Sequence, residues 1–197
     1  MLRGILIVGL LLAVIRMAAA WLSDGGGRFH GRWHPGARIA LHAHADSSEC
    51  EVKAMRRAIS RWNRALRQAN ADVRLELVGY APQAGLVRDG MNTITLVRSN
   101  WGASRRSLGR TKGWKRRGWL LEGDIALNLA HHRFKCDLRQ HRRPYFSEEE
   151  ILIHELGHLL GLGHHGKGLM HPSRFSPRID RYTVQRVGLL YSRPPVP

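Results

Sequence analysis

The sequence predicts an α+β fold, an α/β sandwich folded as one unit, and three observations carry that reading. Residues 37–45 alternate in the manner of a strand, with Ile39 and Leu41 ahead of His42 and His44. Residues 49–69 then switch to helical spacing. Val52, Met55, Ile59, Trp62 and Leu66 recur three or four apart, and Arg57, Arg61, Arg64 and Arg67 fall on the opposite, outward face. Beyond them, short strand-like runs give way to two further helical segments, so the order is strand, helix, strands, helix, helix, with no internal repeat.

The remaining elements follow in order. Residues 21–36 are Gly-rich and polar and read as a flexible N-terminal segment. Residues 72–80 read as a second strand, and 91–98 as a third after the turn signal Asp89-Gly90. Residues 101–119, with their glycines, basic side chains and Trp101, Trp114 and Trp119, read as a basic loop. Residues 124–129 read as a short strand and 131–144 as irregular. A helix is expected from Ser147, an N-cap residue followed by Glu148, Glu149 and Glu150, with Ser147 and Glu150 as a capping box. Gly161 should end it. A last helix spans 180–191, and the Pro-rich tail at 193–197 cannot continue it.

The 197 residues carry 32 Lys+Arg against 15 Asp+Glu, a net charge of +17. With 43% hydrophobic residues, the chain can form an ordinary core, which excludes wholesale disorder. Arg3, the apolar run at 4–15 and Ala18-Ala19-Ala20 read as a signal peptide over residues 1–20. Twelve apolar residues are too few to cross a bilayer, although an uncleaved leader would act as a membrane anchor. Cleavage implies a secreted chain, periplasmic or extracellular, with a mature charge near +15. In that oxidising route Cys50 and Cys136, the only cysteines, are read as a disulfide in preference to two free buried thiols.

The chemistry concentrates in His154-Glu155-Leu156-Gly157-His158-Leu159-Leu160-Gly161-Leu162-Gly163-His164. On a helix, His154 and His158 share a face one turn apart and can bind one Zn²⁺. Glu155 is placed to hold a proton beside the metal rather than to ligate it. Gly161 can turn the chain so that His164 returns as third ligand, leaving a position for water, as in a catalytic site. A bare HExxH matches many ordinary helices. Here five positions are fixed in order, on a segment whose cap predicts a helix independently. His165 is read as a solvated neighbour of His164.

These residues resemble the metzincin zinc peptidases, whose extended motif is followed by a Met-turn. Leu169-Met170-His171-Pro172 follows the third histidine, which makes Met170 the candidate turn methionine, although His171 stands where the matrixin branch often has Tyr. The matrixin likeness, to matrix metalloproteinase catalytic domains and small bacterial relatives, covers residues 37–192. It includes Asp89-Gly90-Met91-Asn92-Thr93-Ile94, Gly123-Asp124-Ile125-Ala126-Leu127-Asn128 and the C-terminal helix. It implies a zincin-like mixed twisted sheet with an active-site helix, a Met-turn and a C-terminal helix. The implied cofactor is one catalytic Zn²⁺ on His154, His158 and His164, with Glu155 as general base. Met170 is expected beneath the metal as packing. His171 and Pro172 would wall the S1′ pocket, and an extended protein or peptide substrate would lie along a sheet edge near residues 107–111. No cysteine-switch segment is visible, and the scarcity of acidic residues argues against a Ca²⁺ requirement.

Two basic clusters remain. One runs through Arg105, Arg106, Arg110, Lys112, Lys115, Arg116 and Arg117; the other is Arg139, His141, Arg142 and Arg143. They fit either a solvated basic surface or one that binds an anionic polymer or acidic protein. Export makes nucleic acid a poor partner. A monomer is expected. The competing function is a secreted polyanion-binding protein on a metzincin scaffold with weak or no proteolysis; a structural zinc protein is argued against by the open three-histidine pattern. His30, His34, His42, His44, His131, His132 and His141 carry little functional weight, although His42 and His44 share a strand face and could make a metal pair. Asp124 and Asn128 fit structural caps or metal-facing groups.

Overall fold

The computed structural model describes residues 30–140 and 142–192. The expected signal peptide, the segment 21–29, His141 and the tail at 193–197 lie outside the described residues. Ten elements follow in chain order: β1 (Arg38–His44), α1 (Glu49–Gln68), β2 (Arg74–Ala81), β3 (Asn92–Val97), β4 (Gly109–Arg116), β5 (Trp119–Asn128), β6 (Arg133–Lys135), β7 (Tyr145–Ser147), α2 (Glu148–Leu159) and α3 (Arg181–Tyr191). The fold is α+β, as expected. A five-stranded mixed sheet runs β2-β1-β3-β5-β4, with β4 antiparallel to β5 and the other pairs parallel; β6 and β7 form a small parallel pair.

Local chemistry starts each helix. Ser48 and Glu51 close a full capping box on α1. Ser147 Oγ accepts from the Glu150 N–H at the start of α2, and Asp180 caps α3 by accepting from the Thr183 N–H. One apolar core joins Leu41, Met55, Trp62, Ile94, Ile125 and Leu152. Trp62 fastens α1 to α2 by donating its indole N–H to the Ile153 carbonyl at 2.7 Å. Cys50 and Cys136 are joined by a disulfide, with Cα atoms 5.6 Å apart, across 86 residues of sequence.

Three expectations need correction, besides the short strand β6 that interrupts the stretch expected to be irregular at 131–144. The segment 101–119 is not all loop: it contains β4 and the start of β5. Because β4 is an edge strand, mostly exposed, its residues never had to alternate apolar and polar, and the usual signal was missing. β5 also begins earlier than expected, at Trp119 rather than 124. Secondly, Arg57 and Arg61 do not face open solvent. Their Nε atoms lie 2.5 and 2.6 Å from the two carboxylate oxygens of the fully buried Glu149, on the first turn of α2. Helical periodicity identifies a polar face but not what packs over it. Thirdly, His165 is buried rather than solvated; its ring meets Tyr182 edge-on at 4.7 Å.

Candidate active site

Helix α2 is buried almost all round, which fixes the direction of its few polar side chains. It ends at Leu159 with Leu160 as its C-cap, and Gly161 follows with φ +89°, a conformation that glycine adopts without Cβ strain. A helix end leaves carbonyls without partners inside the helix. Here distant residues supply the donors. The Trp33 indole N–H donates to Leu159 O at 2.9 Å, the Tyr191 hydroxyl to Leu160 O at 2.9 Å, and the His30 N–H to Gly161 O at 2.8 Å. The terminus of the motif helix is thereby held by both ends of the described chain.

His154 and His158 project from α2, and His164 returns after the turn. Their Nε2 atoms stand 3.2 Å (His154 to His158), 3.2 Å (His154 to His164) and 3.1 Å (His158 to His164) apart. The other ring nitrogens explain this convergence. His154 Nδ1 lies 2.8 Å from the Leu169 carbonyl, and His158 Nδ1 lies 2.7 Å from the Leu162 carbonyl. A carbonyl can only accept, so each Nδ1 carries the proton and each Nε2 turns a lone pair inward. The lone pairs of His154 and His158 thus face each other without a donor and repel, and a cation shared with His164 resolves the conflict. Nitrogen ligands at about 2.0–2.1 Å on a tetrahedral ion stand about 3.3 Å apart. The triad therefore fits Zn²⁺ in spacing and donor type. Among the described residues it is the one group of three or more potential ligands so gathered.

Burial also holds these rings neutral. It lowers His154 to about 4, against a partly compensating bond to Leu169, with repulsion from His164 adding to the shift; burial and the neighbouring His154 lower His158 to about 3. His164 is lowered by burial as well. Neutral imidazole is the form that ligates. His154 is buried, His158 half-buried and His164 exposed, so the set opens toward solvent on one side.

Glu155 lies beside this group, buried, its carboxyl pushed up to about 7 by burial. Thr111 of β4 opposes that shift by donating its hydroxyl to Glu155 Oε2 at 2.6 Å. Gly109 permits the approach of strand to carboxylate, since a Cβ there would stand 2.6 Å from Glu155 Oε1. Met170 is fully buried and packs against Gly157, between the two histidines on α2. Asp180 pins the same turn: its Oδ2 accepts from the Leu169 N–H at 2.7 Å while its Oδ1 caps α3.

The group opens into a cleft of about 720 Å³ between β4 and the chain after Met170, where Pro172, Ser173 and Phe175 form the far wall. The Phe175 ring meets His154 edge-on at 5.3 Å. His171 is not among the lining residues, unlike Pro172. Asp124 and Asn128 point elsewhere. Asp124 accepts from the N–H groups of Val87 and Thr93, at 2.9 and 2.8 Å, and Asn128 donates to the Ser107 carbonyl at 2.8 Å, so they tie neighbouring loops and β3 to β5. His42 and His44 sit half-buried on β1, away from the triad.

No family model matches the sequence, and no curated protein matches it. Solved structures do. The chain is similar to metalloproteinase-II from Bacteroides fragilis, with 16% identity and a TM-score of 0.45 over 86% of this chain and 59% of that one. It thus spans under two thirds of the length of that protein. It is also similar to high choriolytic enzyme 1, a hatching enzyme zinc-protease from the medaka fish Oryzias latipes, with 12% identity and a TM-score of 0.44 over 82% of this chain and 95% of that one.

Sequence reasoning missed Thr111, Gly109 and the carbonyls of Leu162 and Leu169. Thr111 and Gly109 lie in the segment 107–111, which the resemblance placed at a sheet edge but to which no contact with Glu155 was assigned, and a carbonyl has no side-chain signature. Asp180 was legible as a helix cap but not as the anchor of the methionine turn.

Proposed function

We propose that the chain is a zinc-dependent endopeptidase of the metzincin type, exported by its leader, that hydrolyses extended peptides bound along β4. The observation that supports this most is the convergence of three neutral Nε2 atoms within 3.2 Å, beside one buried carboxylate. His154, His158 and His164 would hold the ion. Bound zinc supplies Lewis acidity, acidifying water and polarising a carbonyl.

The chain's own groups do the rest. Glu155 accepts a proton from the attacking water and returns it to the departing amine, and a carboxyl raised to about 7 is suited to both transfers. Thr111 orients that carboxylate. The main chain of β4 supplies the ladder of donors and acceptors that holds an extended substrate independently of its sequence. Pro172 and Phe175 shape the opposite wall.

The test combines metal analysis of the purified chain with digestion of casein or a quenched peptide, with and without chelator. One zinc per chain and chelator-sensitive cleavage are expected. Glu155→Ala should keep zinc and lose nearly all cleavage. Full turnover by that variant would remove Glu155 as base, and failure of His158→Ala to lower zinc content would remove the metal site.

A further inference from the structure

We propose that the open edge of β4 selects acidic peptides, with Arg110 and Lys112 facing alternate carboxylate side chains of the bound strand; this rests on the peptidase reading above. β4 ends the sheet order, and its one strand partner among the described residues is β5. Its other edge borders the cleft. Side chains alternate along a strand. Thr111 points to Glu155, so Arg110 and Lys112 share the opposite face. A peptide added as the next strand alternates in the same way. Residues on that face then lie about 5 Å from their cross-strand neighbours, where opposite charges attract and like charges repel.

These cations are left available. Arg57 and Arg61 share Glu149, Arg98 pairs with Glu51, and Arg38 pairs with Glu76. No such pair with a described acid forms at Arg106, Arg110 or Lys112, all of which line the cleft; Lys115, also at the cleft, donates instead to the His30 carbonyl at 3.0 Å. Lys112 is in register with Asp124, yet that carboxylate is buried and spends both oxygens on the backbone of Val87 and Thr93. The Lys112 ammonium rests over the Trp114 ring instead, 4.8 Å from its centroid. Among the described residues the one acid lining the cleft is Glu155, buried and engaged by Thr111. Three such cations, in a recess where no described carboxylate is accessible, attract anionic side chains and repel cationic ones.

The zinc-loaded chain should be given three quenched peptides of identical core, carrying Glu, Gln or Lys at alternate positions. The expected order of kcat/KM is Glu, Gln, Lys, with about a tenfold span at low salt, expressed mainly in KM. The span should shrink at about 0.5 M NaCl, where the screening length is a few ångströms. The same peptides should bind zinc-loaded Glu155→Ala, read by fluorescence anisotropy, in the same order. Arg110→Glu with Lys112→Glu should reverse the order, and the milder Arg110→Gln with Lys112→Gln should flatten it, each checked for zinc content and circular dichroism. Equal constants for the three peptides, an unchanged order in both variants, or tighter binding of a single-stranded oligonucleotide than of the Glu peptide would overturn the proposal. If no peptide is cleaved in a chelator-sensitive way, the peptidase reading fails, while the anisotropy order still decides the charge preference of β4.

Discussion

The Thr111 hydroxyl donates to Glu155 Oε2 at 2.6 Å, tying the edge strand to the carboxylate of the motif helix. The bond crosses 44 residues of sequence and fixes where the carboxylate points. Thr111→Val keeps the shape and removes the donor. A hydrogen bond to a charged group contributes roughly 1.5–3 kcal/mol. The expected result is a fall of about ten- to a hundredfold in kcat with zinc content unchanged, measured by peptide turnover beside metal analysis.

Asp180 links the methionine turn to α3 through the Leu169 N–H, and the Leu169 carbonyl in turn orients His154. Asp180→Ala should destabilise the fold by about 1–2 kcal/mol as a lost cap and weaken zinc affinity as well. Burial alone would raise this carboxyl. Bonds from Leu169 and Thr183 outweigh that and hold it below its usual 3.8. The sign follows: the stabilisation is present above the unfolded value and is lost as pH falls through the lower folded value. Thermal melts of wild type and variant should therefore converge in acid and separate near neutral pH.

Glu148 works in the opposite direction. It is buried on the first turn of α2, and burial, with the nearby Glu51 charge, pushes it up to about 7 against the pull of Arg98 and Arg57. A raised carboxyl costs nothing below its unfolded value near 4.5. The cost grows as pH climbs from there to about 7 and is constant above. Glu148→Gln should raise stability by about 1–3 kcal/mol at pH 8 and leave it unchanged near pH 4, as read by denaturant melts at the two values.

The bond between Cys50 and Cys136 closes a loop of 86 residues of sequence separation. It anchors the approach to α2 onto α1, where Arg57 also donates to the Cys136 carbonyl at 2.6 Å. Chain-entropy reasoning assigns such a loop about 4–5 kcal/mol. Replacing both cysteines with serine should lower the melting temperature accordingly, and reductant should do so in the wild type but not in the variant.

Much of this was legible before any fold was known. Caps at Ser147 and Asp180 and the spacing of Val52, Met55, Ile59, Trp62 and Leu66 are local signals, set by backbone geometry within one or two turns, and α1, α2 and α3 begin within a residue or two of where those signals place them. The histidine spacing is local in the same sense, because one helical turn brings His154 and His158 together. β4 was not legible. An edge strand of glycine, lysine and arginine has no apolar alternation to display, and only its hydrogen bonds to β5 define it.

By itself, then, the sequence determined the elements whose chemistry is short-range: amphipathic helices, their caps, and the residue types able to hold a metal ion and a proton. Tertiary structure decided which nitrogen of each histidine faces its partners, through carbonyls of Leu162 and Leu169. It also decided that Thr111 of an apparently featureless loop meets Glu155, and that two outward arginines close on buried Glu149. The physical reason is common to all three. A hydrogen bond or ion pair to a distant group depends on where the chain returns, and that return is set by packing of the whole core rather than by any local run of residues.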